Sequence, residues 1–91
     1  MEILFKWDPE KNLKLIKERG ISFEAIVSHI EQGDVIATVQ GKGKYSHQKQ
    51  FVVSVNQYIY IVPFVEEKGA LFLKTIFPSR KLTKQYLFGG D

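Results

Sequence analysis

Two histidines, two arginines and a set of lysines with few acidic neighbours are the residues of this chain best suited to chemistry. His47 and Lys49 stand two apart, just before an alternating apolar run, so an extended backbone points them the same way. An imidazole titrates near neutrality and suits proton transfer, and Lys49 beside it can hold a phosphate. Otherwise His47 is an ordinary loop histidine. Arg80 follows Pro78-Ser79, which places it in the first turn of a helix. That terminus already carries positive potential, so a cation there fits an anion site. The plainer alternative is a surface arginine paired with Glu66 or Glu67. Lys42 and Lys44 alternate with Gly41 and Gly43 in a basic loop able to follow a nucleic-acid backbone, with Tyr45 beside it to stack on a base. The loop is no P-loop, because no Gly-Lys-Ser/Thr closes it. Lys74, Ser79, Lys81 and Lys84 extend this candidate nucleic-acid-binding face. Tyr86 is either a core-edge residue or a contact to phosphate or base. His29 lies beside a helical apolar stripe and reads as structural or surface.

Cysteine is absent, which removes disulfides, thiolate chemistry and cysteine zinc sites. The histidines and scattered carboxylates have no metal-ligand spacing, so neither a metal nor another cofactor is expected. The net charge of +3 is unevenly spread. Residues 1–34 hold five Lys/Arg against seven Asp/Glu, and residues 35–91 hold eight against three. The stretches 35–65 and 68–90 contain no carboxylate. A basic half of this kind attracts polyanions. No membrane-length apolar run or signal peptide is apparent, so the expected location is cytoplasmic.

A length of 91 residues, 44% of them hydrophobic, predicts one domain over 1–91 with a modest core. Residues 3–7 read as a strand. Asp8-Pro9-Glu10 starts a helix that runs to Arg19 and stops at Gly20. Ser22 opens a second helix, whose Phe23, Ile26, Val27 and Ile30 form one stripe; Gly33 ends it. Strands follow over 35–40, 51–55 and 58–64, with a polar loop at 41–50 and a two-residue turn at Asn56-Gln57. A second turn over 66–69 leads to a last long strand over 70–77, broken by Pro78. Ser79 caps a short final helix to about Leu87, stopped by Gly89-Gly90. The expected class is α+β: strand, two-helix hairpin, antiparallel four-stranded meander and short C-terminal helix.

Three blocks carry a resemblance. They are Phe5-Lys-Trp-Asp-Pro-Glu-Lys-Asn12, Arg19-Gly-Ile-Ser-Phe-Glu24 and Ile76-Phe-Pro-Ser-Arg-Lys-Leu-Thr83. Together they resemble the BrnT family of type II toxins, within the RelE-like ribonuclease superfamily. The resemblance implies a RelE-like fold and a toxin that cleaves messenger RNA without a metal, through attack of the RNA 2′-hydroxyl. It also implies a DNA-binding antitoxin encoded next to it, and a higher-order toxin–antitoxin complex. Arg80, in the third block, is the first catalytic candidate, followed by Lys49 and His47. Lys49 and Gln50 stand where family members usually have an Arg, and Pro63-Phe64 stands where many have a His. The alternative is a non-catalytic RNA- or protein-binding module built on the same fold.

Overall fold

Asp8 starts the first helix for a physical reason. Its carboxylate accepts the Glu10 backbone N–H at 3.0 Å, and Pro9 fills a position that has no need of a donor. The helix α1 (Pro9–Arg19) ends at Gly20, whose φ of 69° is a left-handed conformation that glycine adopts without penalty. Ser22 then caps α2 (Phe23–Glu31) by accepting the Ala25 N–H. The computed structural model describes residues 3–88. The predicted Gly89-Gly90 stop and the side chain of Tyr45 lie outside the described residues.

Before the hairpin comes β1 (Leu4–Trp7), and after it β2 (Val35–Gln40), β3 (Lys49–Val55), β4 (Tyr58–Glu67), β5 (Ala70–Leu73), β6 (Phe77–Pro78) and α3 (Arg80–Leu87). A short 3₁₀ turn occupies Gly43–Tyr45 in the basic loop. The strands form one sheet in the order β1-β5-β4-β3-β2, with β6 also paired to β4. The class is α+β, as the element pattern implies.

The sheet differs from the expected four-stranded antiparallel meander in two ways. Strands β2 to β5 are antiparallel neighbours, but β1 joins β5 in parallel at the edge, so the sheet is mixed. That pairing joins chain segments more than sixty residues apart, as in Leu4 with Ala70, and no local pattern announces it. The strand expected over 70–77 is two strands. Between the pairs Phe64–Leu73 and Ile61–Phe77, residues 74–76 face only residues 62 and 63, so the chain bulges. The Arg19 guanidinium donates to the Ile76 carbonyl and ties the bulge to the end of α1. The polar loop is also shorter than expected, because β3 starts at Lys49. In the same way β4 continues to Glu67, and its turn is Lys68-Gly69.

Alternation along the strands sorts side chains onto two covered faces. On one, Val53, Val55, Val62, Phe64, Leu73 and Ile76 pack with Leu15, Ile21, Phe23 and Ile26 from the helical hairpin. On the other, Val52, Ile59 and Ile61 pack with Ala37, Phe77, Leu82 and Leu87 under α3. Thr83 fastens α3 to the sheet. Its hydroxyl accepts the Ile59 N–H at 2.8 Å and donates to the Ser79 carbonyl at 2.7 Å.

Asn12 joins the two hairpin helices. It is 7% exposed. Its amide oxygen accepts the Phe23 N–H at 2.8 Å, and its amide nitrogen donates to Glu24 at 2.7 Å. An Asn12→Leu chain strands the buried Phe23 donor and is expected to lose about 1–3 kcal/mol, read by urea unfolding; an unchanged midpoint would contradict the tie. The same bond from Asn12 is the main reason the Glu24 carboxyl lies below the ordinary carboxylate range. A carboxyl held lower in the folded than in the unfolded chain adds stability above its unfolded pKa, and the contribution fades as pH falls through the folded value. The parent should therefore lose stability on acidification through and below about pH 4.5. A Glu24→Gln chain should show a shallower loss there. Identical acid profiles would refute the assignment.

Candidate functional site

The hairpin turn sets the site. Asn56 and Gln57 have φ of 51° and 66°, the paired left-handed geometry of a two-residue turn that follows strand twist. Its register runs from Val55 opposite Tyr58 to Lys49 opposite Phe64. Continued outward, the same register carries His47 beside the end of β4. On the other side of β4, the bulge brings Lys74 to Pro63, whose carbonyl accepts the Lys74 N–H at 2.8 Å. The Lys74 ammonium lies 5.2 Å from the centroid of the Phe72 ring.

These turns of the chain gather His47, Lys49 and Lys74 around one open depression of about 510 Å³. Gln48, Glu66 and Glu67 complete its polar lining. It therefore combines a group able to carry a proton, two fixed cations and two carboxylates. All but Gln48 of these polar residues are exposed. Gln40 secures the loop that carries His47. Its amide nitrogen donates to the carbonyls of Ser46 and Gln48, the residues on either side of His47, and Gly41 N–H donates to the Gln48 carbonyl at 2.8 Å.

Arg80 is not brought to this depression. Ser79 N–H donates to the Ile59 carbonyl at 2.9 Å, and Ile59 stands five residues before Phe64 on β4. At about 3.3 Å per residue, the start of α3 is roughly 17 Å along the strand from the backbone of Lys49. Nor does Arg80 pair with Glu66 or Glu67, because the ion pair formed among the described residues joins His29 and Asp34. Arg80 is exposed at the first position of α3. Ser79 is committed to capping, its hydroxyl accepting the Leu82 N–H at 3.2 Å.

The other predicted contacts do not line the depression around His47. Lys42 lines a second depression of about 510 Å³ with Gln50, Leu82 and Tyr86. Lys44, Lys81 and Lys84 are exposed. Tyr86 is 44% exposed, so its ring is available to a ligand. His29 serves the fold: its Nδ1 lies 2.8 Å from an Asp34 oxygen and braces the link from α2 to β2. A depression that it lines on the hairpin side with Tyr58 and Tyr60 has no lysine or arginine in its wall and does not suit a phosphate.

Glu66, Glu67 and Gln48 line the site, with Gln40 bracing its loop, yet these are missed by motif reading. One signal does point to the first two. Counting back from the Asn56-Gln57 turn places position 47 opposite 66, provided the strands are allowed to continue. Among the described residues no group of three or more His, Asp or Glu is placed to hold a metal ion. No helix among them is long and apolar enough to cross a membrane. No family model matches the chain, and neither a curated protein nor a solved structure matches it.

Proposed function

We propose that the chain is an endoribonuclease that cleaves single-stranded RNA without a metal, acting as the toxin of a toxin–antitoxin pair as the BrnT resemblance implies. The observation that carries this reading is the joining of His47, Lys49, Lys74 and the Glu66-Glu67 pair around one depression. In the reaction, the 2′-hydroxyl oxygen bonds to the adjacent phosphorus while a carboxylate of the pair takes its proton. The bond from phosphorus to the 5′-oxygen breaks, and the His47 imidazolium protonates the leaving oxygen. Lys49 and Lys74 offset charge building on the phosphoryl oxygens. The products are a 2′,3′-cyclic phosphate and a 5′-hydroxyl. Arg80, with Lys81 and Lys84, holds phosphates farther along the strand.

The proposed partner is a DNA-binding antitoxin that covers the basic side and adds stability to a small core. A second reading has one observation in its favour. The separation of Arg80 from His47 and Lys49 suits a non-catalytic binding module, which needs a basic surface but no assembled reaction centre. Expression of the chain alone in cells, with growth and RNA integrity followed, separates the two. The ribonuclease reading expects growth arrest with fragmented messenger RNA. Intact RNA in cells that accumulate folded protein would favour the binding module.

A further inference from the structure

Neighbouring depressions on the α3 side share lining residues. The one holding Lys42 and Tyr86 is lined by Gln50, and Gln50 also lines the next, which contains Pro63, Thr75 and Phe77. That middle depression shares Gln48 and Lys74 with the one around His47 and Lys49. Taken together as one groove, these adjacent depressions run from the end of β2 over β3 and β4 to the end of β5. Three strand spacings of about 4.8 Å make it roughly 14 Å across.

Its chemistry is graded. Lysines stand along it at Lys42, Lys74 and Lys49, and the stretch 35–65 contributes no carboxylate. Only the end beside His47 has acidic residues, Glu66 and Glu67. Between the lysines the walls are apolar or aromatic, from Val52, Ile61, Phe77 and Tyr86. Gln50 stands in the middle, half-buried, and its side-chain amide makes no hydrogen bond to another described residue. Such an amide offers one acceptor and two donors, the pattern that meets a base edge.

We infer that this groove binds a short single-stranded stretch of RNA, with a base inserted at Gln50 and the adjoining phosphates on Lys42 and Lys74, and that Gln50 sets the base preference. The inference rests on the ribonuclease reading, and it names the substrate form and the selecting residue. A duplex does not fit, because its paired and stacked bases cannot turn into the slot beside α3. An apolar wall with spaced cations suits bases and phosphates in alternation.

Binding is tested in a His47→Ala chain, so that cleavage does not consume the probe. Short labelled homopolymers of each base, and a duplex of the same length, are titrated by fluorescence anisotropy at several salt concentrations. Single strands should bind at least about tenfold tighter than the duplex, with a log–log salt slope of at least about 1.4 from the Lys42 and Lys74 contacts at roughly 0.7 each. One base should be preferred. Gln50→Leu should keep the parent melting temperature and lose about tenfold of that preference. Gln50→Asn should recover part of it. Equal binding of duplex and single strand, or an unchanged preference in folded Gln50→Leu, would overturn the inference. Binding of polyglutamate in place of RNA would mark a protein-docking surface and overturn it as well. A chain that binds as described while the parent leaves RNA uncut would contradict the ribonuclease reading alone.

Discussion

A Phe23→Ala chain is expected to lose about 3–5 kcal/mol of stability. Phe23 is fully buried at the first position of α2. Its ring stacks on Trp7 with centroids 5.7 Å apart, and its N–H is the donor held by Asn12. Truncation empties a ring-sized space between β1, α1 and α2. A domain of this size has only about 5–15 kcal/mol in total, so the variant sits near the edge of folding. Urea unfolding reads the effect directly. A loss below about 1 kcal/mol would mean that the hairpin packs on the sheet without this anchor.

The second large effect concerns chemistry. A His47→Ala chain is expected to fold normally and to cleave RNA about 100- to 10,000-fold more slowly, the usual worth of a positioned acid or base. Folding should survive because His47 is exposed and buries little apolar surface. Lys49→Ala should cost less if it shares the phosphoryl charge with Lys74. Arg80→Ala, some 17 Å away along β4, should act mainly on binding. Its effect should diminish at saturating RNA, whereas that of His47→Ala should not.

The helices were legible because short-range chemistry fixes them. Asp8, Pro9, Gly20 and Ser22 each act within one turn, and all take the roles their types predict. The hairpin at Asn56-Gln57 is legible for the same reason. The parallel β1–β5 pair is not, since its partners meet only after the whole sheet assembles. The bulge at 74–76 escapes too, because Ala70 to Phe77 is a continuous strand-like run and only pairing with Pro63 and Ile61 interrupts it. The blocks that carry the family resemblance turn out to hold the fold together. Trp7 stacks on Phe23, Asn12 ties Phe23 and Glu24, Arg19 meets Ile76, and Thr83 anchors α3. They speak for architecture more than for chemistry. His47, Lys49 and Lys74 were visible as candidates, but their meeting with Glu66 and Glu67 depends on register and on a bulge.

The most direct test of the account is the single-turnover cleavage rate of single-stranded RNA by the purified parent and the His47→Ala chain, with a chelator present and a thermal melt for each. The account predicts cleavage by the parent that leaves 2′,3′-cyclic phosphate ends, and a folded His47→Ala chain at least about 100-fold slower. Full-rate cleavage by a folded His47→Ala chain, or no cleavage by the folded parent, would contradict it.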